Sequence, residues 1–326
     1  MKKARAEIAK LKENKKNNFF LAFSVKMRYN DSKETQKEDI AMERVEKAYA
    51  KINLFLDVLG RRADGMHDLR TVMQTVSLFD TVSVRAKEAD YSCITLQMEN
   101  SDIPADERNL AYLAAEAFLE ETGISAAVAI TVDKRIPVAA GLAGGSADAA
   151  AVLRAMNAVF GEPLLRERLL SVASRLGADV PFCLVGGTAL CEGKGEQMTP
   201  YEVADAFFVI AQPEAEKMAT PRAYAMLDEA FGGFENEDAV LHDALFSFFA
   251  EDAVDGMYNV FESVVIPRTP AVAALRTRLI SLGAKNAMMS GSGTAVFGVF
   301  ESEEAARYAA EDITGAFVCA PVPALL

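Results

Sequence analysis

Cysteine, histidine and tryptophan are scarce in this chain, whose 326 residues include four cysteines, two histidines and no tryptophan. The cysteines form no CxxC pair and have no histidine at metal-ligand spacing; they are Cys93, Cys183, Cys191 and Cys319. This pattern argues against a cysteine-based metal site and predicts buried thiols in a reducing compartment. We therefore expect a cytoplasmic protein and assign no residue as a metal ligand.

Long hydrophobic runs are also missing. No stretch approaches the roughly 18 uncharged apolar residues of a membrane span, and the most apolar region, Ile136–Leu153, is broken by glycines and Asp148. We therefore expect no membrane partner. With 51% apolar and 25% charged residues, the composition is that of a globular protein, and the length suggests about two domains.

Positive charge is scarce outside the first 41 residues. Residues 1–41 carry 11 Lys and Arg against 6 Asp and Glu, a net charge of +5, and the remaining residues carry 23 against 41, a net charge of −18. So acidic a body repels a phosphate backbone, which argues against nucleic-acid binding. An anionic small substrate is compatible with it if local backbone amides and a few cations bind that substrate.

Residues 1–41 differ from the rest of the chain. Their apolar run, Phe19–Val25, is at the short limit for a signal peptide, and their six acidic residues are unlike a transit peptide. Two interpretations stay open: a disordered or loosely attached extension, or a segment that is not translated naturally. The second predicts a start at Met42, since Lys37-Glu38-Asp39 can be encoded by a purine-rich ribosome-binding sequence. The intact mass of the endogenous protein tests that start.

From Met42 onward the hydrophobic pattern predicts two α+β domains, residues 42–203 and 204–326. Alternating apolar residues predict a strand over Ala50–Val58, with Lys51 and Asn53 on its polar face. Asn109 and Gly123 are typical of helix ends, so a helix is expected between them. The other predicted elements are strands at 69–78, 81–85, 93–98, 128–132, 207–210, 295–300 and 316–322, helices at 146–160, 165–176, 222–228, 238–250 and 271–282, and a hairpin at 193–195.

A glycine-rich loop between a predicted strand and a predicted helix carries the strongest functional signal. It reads Pro137-Val138-Ala139-Ala140-Gly141-Leu142-Ala143-Gly144-Gly145-Ser146-Ala147. Glycines let backbone amides approach a ligand, and a helix N-terminus favours phosphate. The loop lacks the GK[ST] ending of a Walker motif and the GxGxxG of a dinucleotide fingerprint. A tight turn in close helix–strand packing is the alternative, but four small residues before a helix favour phosphate binding.

Two shorter motifs are weaker when each is taken alone. In Leu176-Gly177-Ala178-Asp179-Val180-Pro181, the glycine ends a helix and the proline favours an extended Val180, so Asp179 is expected on a short, stiff connector. A functional carboxylate and a simple cap of the next segment both fit that position. The second motif, Ser290-Gly291-Ser292-Gly293-Thr294, precedes a predicted strand, and such turns are common.

Together these motifs resemble the GHMP kinase superfamily. PVAAGLAGGSADAA and MMSGSGTAVFGVF resemble its phosphate loop and its C-terminal glycine motif. AYAKINLFLDVLGRRADGMHDLRTVMQTVSLFDTV and LGADVPFCLVGGTALCEGKGE are similar to the branch that binds a cytidine nucleotide, and the likeness runs from about residue 48 to residue 300. It implies a two-domain architecture with a ribosomal protein S5 domain 2-like N-terminal domain and a ferredoxin-like C-terminal domain.

The resemblance implies an ATP-dependent kinase that phosphorylates the 2-hydroxyl of 4-diphosphocytidyl-2-C-methyl-D-erythritol (CDP-methylerythritol) in the non-mevalonate isoprenoid pathway. By position, Lys51 and Asp179 match the family's catalytic pair, residues 137–147 its ATP-phosphate loop, and Asn53 and His67 its substrate pocket. A carboxylate beside the substrate hydroxyl would act as base or orienter, and Lys51 would keep it ionised. Because no dense carboxylate cluster is evident, we expect Mg²⁺ to sit largely on ATP and water, with Ser146 as a candidate contact.

One position departs from that family. Met66 stands where the DGxH motif usually has an aromatic ring that stacks on cytosine, and a thioether lacks the flat face of such a ring. His67 is one of two histidines and would be an ordinary surface residue without this motif; the other, His242, is expected to be structural. Two alternatives stay open: another GHMP kinase acting on mevalonate, phosphomevalonate or homoserine, and a catalytically silent ligand-binding member.

Overall fold

The structure is a computed structural model that describes residues 41–202, 206–214, 218–231 and 254–326. The predicted extension therefore lies outside the described residues except for its last residue, and so do His242 and the helix predicted at 238–250. Residues 41–326 form one compact unit. None of the helices in the described ranges is long and apolar enough to cross a membrane.

Strands and helices alternate in blocks along the described residues. The strands are β1 (Met42–Arg61), β2 (His67–Glu88), β3 (Cys93–Glu99), β4 (Ala126–Asp133), β5 (Thr188–Gly193), β6 (Gln197–Pro200), β7 (Phe207–Ala211), β8 (Tyr258–Asn259), β9 (Asn286–Met289), β10 (Val296–Phe300) and β11 (Phe317–Cys319). The α-helices are α1 (Leu110–Thr122), α2 (Gly144–Val159), α3 (Arg166–Leu176), α4 (Val180–Val185), α5 (Thr220–Phe231), α6 (Glu262–Val265), α7 (Pro270–Ser281) and α8 (Glu303–Glu311).

The larger sheet is mixed and has seven strands. Its main order is β3-β4-β2-β1-β8, and the β5–β6 hairpin, predicted around residues 193–195, pairs with β2. β2 joins the two strands predicted at 69–78 and 81–85, because Asp80 between them is fully buried and the strand continues through it. Helices α1 and α2 bury Phe118 and Leu153 in the same core as Val84 and Ile130 of the sheet. The core thus fixes the helix that follows the glycine loop.

The smaller sheet is antiparallel and has the order β11-β7-β10-β9. In chain order α5, α6 and α7 lie between β7 and β9, β10 follows β9, and α8 lies between β10 and β11, which is the ferredoxin-like order with additional helices after its first strand. The expected α+β class and the ferredoxin-like C-terminal part are therefore confirmed. A second core lies here, with Leu227, Phe261, Leu279 and Val296 buried together.

The domain boundary between residues 203 and 204 stays a prediction, since residues 203–205 lie outside the described ranges. Two features cross it. β8 pairs with β1 in the larger sheet, and Phe297 of the smaller sheet belongs to the same buried cluster as Val132 of the larger one. The two parts of the chain therefore share a core.

The local predictions around the functional motifs are partly confirmed. Asn109 caps α1 by accepting from the amide of Ala111, and Gly123 ends that helix at φ 68°. The expectation of an extended Val180 was wrong, because Val180 opens α4. Pro181 lies in the first turn, where a missing N–H costs no helical hydrogen bond.

The thiol prediction is confirmed for three of the four cysteines. All four are unpaired; Cys183, Cys191 and Cys319 are buried, whereas Cys93 at the start of β3 is half-buried. The difference arises because β3 is the last strand at its end of the larger sheet, and its first residues are only partly covered.

Candidate active site

A cleft of about 740 Å³ collects the motifs found in the sequence. It is lined by residues of β1 and β2, the glycine-rich loop, the start of α4, the β5–β6 turn, α5 and the C-terminal glycine motif. Of the predicted site residues it contains Lys51, Asn53, Met66, His67, Pro137, Ala139, Ala140, Gly141, Leu142, Ala143, Gly144, Gly145, Ser146 and Asp179. Two predicted residues do not line it: Val138 is exposed and Ala147 is buried in α2.

Lys51 and Asp179 meet in this cleft. The Lys51 Nζ lies 3.7 Å from the Asp179 Oδ2; the lysine side chain is 6% exposed and the aspartate side chain 37%. The ammonium also donates to the Asn53 Oδ1 at 2.7 Å. The Asn53 Nδ2 donates in turn to the Thr71 Oγ1 at 2.8 Å. This chain holds the ammonium in place while the carboxylate faces the open cleft.

Asp179 is positioned by α4, which is one of three described helices, with α6 and α8, that the sequence did not predict. It occupies the N-cap position, yet its side chain makes no capping hydrogen bond in the described structure. The alternative that Asp179 merely caps the next segment is therefore not supported. Phe182, one turn further along, is buried with Met73 and Cys191. That packing anchors α4 and aims Asp179 at Lys51.

The glycine-rich loop turns sharply before α2. Ala139, Gly141 and Ala143 have positive φ values of 54°, 80° and 56°, which are costly for the two alanines. A side chain at Gly141 is impossible without rearrangement, because an added Cβ would lie 2.0 Å from the Ser290 carbonyl oxygen. The first amides of α2 have no acceptor within the helix and face a cleft lined by Gly144, Gly145 and Ser146. This arrangement suits a phosphate group.

Two neighbours fix the loop. The register of the β1–β2 pair shifts between Tyr49 and Lys51, and the Lys51 amide donates to the Leu142 carbonyl at 3.2 Å. On the other side the C-terminal glycine motif contributes the Ser290 hydroxyl, which donates to the Gly141 carbonyl at 3.0 Å. The motif that was weak in the sequence alone is therefore a support of the loop.

The far end of the cleft is aromatic. The His67 ring stacks on the Tyr224 ring with centroids 4.6 Å apart and planes at 24°, and Phe261 packs edge-on against Tyr224. The His67 Nε2 lies 2.7 Å from the Asp228 Oδ1. Met66 lines the same end and is 47% exposed. This end can hold a flat ring and a hydrogen-bonding edge.

Several cleft residues were missed in the sequence. Tyr224 and Asp228 lie on α5, whose existence was predicted near residues 222–228 but whose cleft-facing side was not. Arg61 and Lys194 bring two further cations to the cleft. Lys194 lies between two glycines in the predicted turn. A charged residue at that position in the sequence could have indicated a cleft residue.

Electrostatics argue against a thiol nucleophile near this site. Burial, followed by the negative charge of Asp179, raises the pKa of Cys191 to about 12 and also raises the pKa of Cys183. Both thiols therefore stay protonated near neutral pH, and the carboxylate of Asp179 is the basic group in contact with Lys51. Within the described ranges, no three His, Cys, Asp or Glu side chains are grouped so that they could hold a metal ion.

Comparison with known proteins decides the family. The GHMP kinases N terminal domain matches residues 109–187, and the GHMP kinases C terminal domain matches residues 234–319. This chain belongs to the GHMP kinases. The expected two-domain kinase architecture is therefore confirmed, and the protein is an enzyme of the kinase class.

Comparison with curated relatives indicates which group of GHMP kinases this chain is most similar to among those compared. The 4-diphosphocytidyl-2-C-methyl-D-erythritol kinase of Caldicellulosiruptor saccharolyticus is 43% identical over 267 residues, which cover 81% of this chain and 91% of the relative. The kinase of the same name from Alkaliphilus metalliredigens is 41% identical over 270 residues, covering 82% and 91%. The chain groups with these kinases, as the sequence motifs predicted.

Solved structures agree with this grouping. A crystal structure of 4-(cytidine 5'-diphospho)-2C-methyl-D-erythritol kinase is 34% identical, has a TM-score of 0.69, and is matched over 86% of this chain and 99% of that one. A homoserine kinase from Cytophaga hutchinsonii is similar at 20% identity with a TM-score of 0.61, over 90% and 97% of the two chains. That second likeness concerns the fold alone.

Proposed function

We propose that this GHMP kinase transfers the γ-phosphoryl group of ATP to the 2-hydroxyl of CDP-methylerythritol, in the non-mevalonate isoprenoid pathway. The observation that carries the proposal is the Lys51–Asp179 pair, which lies in one cleft between a phosphate-binding loop and an aromatic end with His67 and Tyr224. The names of the relatives at 41–43% identity supply the substrate.

ATP would bind through the loop of residues 137–147. The backbone amides at the start of α2 are available to the phosphates, and the helix N-terminus favours their negative charge. Leu110 of α1 faces Gly145, since a Cβ on that glycine would lie 3.7 Å from the leucine Cδ1. This apolar side chain lines the cleft beside the loop and suits the adenine ring.

Asp179 and Lys51 would perform the transfer. The carboxylate accepts the proton of the 2-hydroxyl as its oxygen attacks the γ-phosphorus, or orients that hydroxyl for attack. The bond from the γ-phosphorus to the bridging oxygen breaks, ADP leaves, and the proton passes from Asp179 to solvent. The buried Lys51 ammonium neutralises charge that develops on the transferred group.

Mg²⁺ is proposed as the metal that accompanies ATP. The donors on this chain fit a metal held mainly by phosphates and water, because of the two carboxylates in the cleft Asp228 is bonded to His67, which leaves Asp179 and the loop hydroxyl of Ser146. The metal supplies charge neutralisation on the phosphates when bound. Asp179 and Ser146 are the side chains that would contact it or its water.

The cytidine diphosphate would occupy the aromatic end. The stacked rings of His67 and Tyr224 offer a flat surface, and the hydrogen-bonded His67–Asp228 pair offers polar groups for the edge of a base. Lys194 and Arg61 supply positive charge for the diphosphate. An acidic protein can bind an anionic substrate only if local backbone amides and a few cations contact it. In the proposed complex the cleft supplies both.

A cytoplasmic location is proposed as well. It is supported by the four unpaired cysteines, which are typical of a reducing compartment. The proposed partner is the small-molecule substrate rather than a nucleic acid or a membrane.

One assay separates this function from the alternatives. ATP consumption is measured in parallel with CDP-methylerythritol, mevalonate, phosphomevalonate and homoserine. We expect turnover with CDP-methylerythritol and none above background with the others. Turnover with one of the others alone would support a different GHMP kinase, and ATP binding without any turnover would support the silent ligand-binding alternative.

A further inference from the structure

A cluster of buried charges lies behind the phosphate loop and outside the cleft. Lys134, the first residue after β4, is 7% exposed, Asp80 of β2 is fully buried, and Asp148 of α2 is 2% exposed. The Lys134 Nζ contacts the Asp80 Oδ2 and lies 2.7 Å from the Asp148 Oδ2. One ammonium therefore joins a strand, the start of the loop and the helix after it.

Asp80 holds the entrance of the loop. Its Oδ2 takes the Lys134 ammonium, while its Oδ1 accepts from the backbone amides of Arg135 and, at 2.8 Å, Ile136. Both oxygens of this carboxylate are thus committed to three successive residues. The backbone immediately before Pro137 is tied to β2.

Asp148 holds the exit of the loop. It lies in the second turn of α2, four residues after Gly144, and its Oδ2 contacts Lys134 while its buried Oδ1 has no hydrogen-bond partner in the described structure. Gly144 lies directly over the same ammonium, since a Cβ there would be 3.3 Å from the Lys134 Nζ. The N-terminus of α2 and the residues that enter the loop therefore both contact the Lys134 ammonium or its partner Asp80.

We propose that Lys134, held between Asp80 and Asp148, is a positioning residue that sets the distance between the two ends of the phosphate loop and thereby the placement of the ATP phosphates. The inference rests on the proposed use of that loop by ATP. In this proposal Lys134, Asp80 and Asp148 contact neither the nucleotide nor the substrate. They act through Gly144 and the first amides of α2.

Stability alone is a poor explanation for this cluster. Removing Lys134, Asp80 and Asp148 from water is costly, and buried ion clusters can often be replaced by apolar residues without loss of stability. What such a cluster supplies is a fixed geometry. A loop that must hold phosphates needs that geometry, because small misplacements of a reacting group reduce rates strongly.

The test uses Asp148→Ala in the full chain, which removes the helix-side contact but leaves the neutral Lys134–Asp80 pair. We expect the Kd for ATP and the KM for ATP to rise about tenfold, the range in which a displaced binding group acts. The KM for the second substrate should change less than about twofold. Asp148→Asn retains an acceptor for the ammonium and should restore ATP binding to within about threefold of the unmodified protein.

Asn157→Ala is the matched control for a loss of stability. Asn157 is buried in the same helix and bonded to Leu164, but it lies 13 residues beyond Gly144, about 20 Å along the axis. It should lower the Tm and leave the KM for ATP unchanged. If Asp148→Ala lowers the Tm in the same way with unchanged ATP binding, the cluster is structural and the inference is wrong.

Two further outcomes are separated by the same measurements. If Asp148→Ala does not fold, Asp148→Ser takes its place, because its hydroxyl stays polar but is too short to reach the ammonium, and the same rise in the Kd for ATP is expected. If the unmodified protein itself fails to bind ATP, the proposed function is at fault; ATP binding by the unmodified protein with equal binding by the variant overturns the inference alone.

Discussion

At the scale of single residues, two oppositely charged side chains in the cleft differ in how firmly they are held. Lys51 is buried and bonded to Asn53, whereas Asp179 keeps a partly exposed carboxylate 3.7 Å away. The lysine is therefore fixed in place, and the aspartate is free to meet a substrate hydroxyl. This asymmetry is what a general base beside a fixed cation requires.

Replacing Asp179→Asn should reduce kcat by roughly 10²-fold or more while both KM values change little, since an amide cannot accept the hydroxyl proton. Steady-state kinetics measure this. Asp68→Asn is a matched control, because Asp68 is a similarly exposed carboxylate that pairs with Arg62 and does not line the cleft. Near-normal turnover of the Asp179 variant would remove this residue from the chemistry.

Met66→Tyr should lower the KM for CDP-methylerythritol about threefold to tenfold, because a ring at this exposed cleft position adds a stacking surface for the base. The KM for ATP should not move, since Met66 lies at the other end of the cleft from the loop. An unchanged or higher KM for the cytidine substrate would contradict the assignment of the aromatic end to the base.

Asp57 gives a prediction for stability rather than activity. It is 2% exposed on β1, and burial raises its pKa to about 6 from an ordinary value of 3.8. A raised carboxyl pKa means that the folded state prefers the protonated form, so stability is lost as pH rises from about 4 through 6. Asp57→Asn removes that cost and should stabilise the protein by about 1–2 kcal/mol near pH 8, and by less near pH 5. Urea unfolding at both pH values measures the difference, and a variant that is less stable at the higher pH would refute the account of Asp57.

At the scale of elements, the phosphate loop depends on contact with a distant part of the chain. Gly141 lies against the Ser290 carbonyl, and the Ala295 amide donates to the Ala140 carbonyl at 3.0 Å. The loop is thus supported by residues about 150 positions away in the sequence. The conformation of the loop therefore depends on packing against the folded core and not on its glycines alone.

Gly141→Ala should abolish ATP binding or raise the KM for ATP by at least tenfold, because the new methyl would overlap the Ser290 carbonyl and the loop must move. Gly161→Ala is the matched control. Gly161 has a similar φ of 76° against 80°, but nothing lies within 4 Å of an added Cβ, so only the modest backbone strain of about 1 kcal/mol is expected. Equal effects of the two variants on ATP binding would show that backbone strain, not the contact with Ser290, is responsible.

Most of the elements predicted from the sequence have local causes, but α8 was missed although the Ser302 side chain caps it locally. The strand with Lys51 and Asn53, the caps of α1, the glycine loop before α2 and the hairpin near Lys194 all follow from periodicity, caps and turn residues. Helix α4 was missed because the restriction that Pro181 places on Val180 is overridden when proline lies in the first turn of a helix. The continuity of β2 was missed because the partners of Asp80, the amides of residues 135 and 136, are 55 and 56 positions away.

The site was predicted less completely than the fold. Lys51, Asp179 and most of the loop line the cleft, but Tyr224 and Asp228 reach it only because α5 packs against β1 and β2 residues far away in sequence. Helix periodicity predicts that one face is buried, not what the opposite face meets. The assignment of catalytic and binding roles to these residues stays a prediction that the variants above test.

At the scale of the whole molecule, the proposed function requires an acidic protein to bind two anions. The residues after the first 41 carry a net charge of −18, yet the cleft combines Lys51, Arg61 and Lys194 with the amides of a helix N-terminus. Fixed local charges act over a few ångströms, whereas the charge of the surrounding surface is screened over roughly 10 Å. Global charge therefore excludes extended polyanions without excluding a nucleotide.

Both parts of the chain supply residues to the cleft. The phosphate loop and Lys51 come from the larger sheet and its helices, while Tyr224, Asp228 and Ser292 come from residues beyond 204. Each part supplies contacts that the other lacks, so a functional cleft requires both. The likeness to the curated kinase likewise covers about four-fifths of the chain rather than the loop alone.

The reaction proposed for this cleft transfers a phosphoryl group from ATP to the 2-hydroxyl of CDP-methylerythritol. Phosphorus and carbon NMR of the product of a complete reaction measure whether the phosphate is bound to that hydroxyl. We expect ADP and product in equal amounts, with a new phosphomonoester coupled to carbon 2 of the methylerythritol. Phosphate on another hydroxyl, or inorganic phosphate released without a phosphorylated product, would contradict the account.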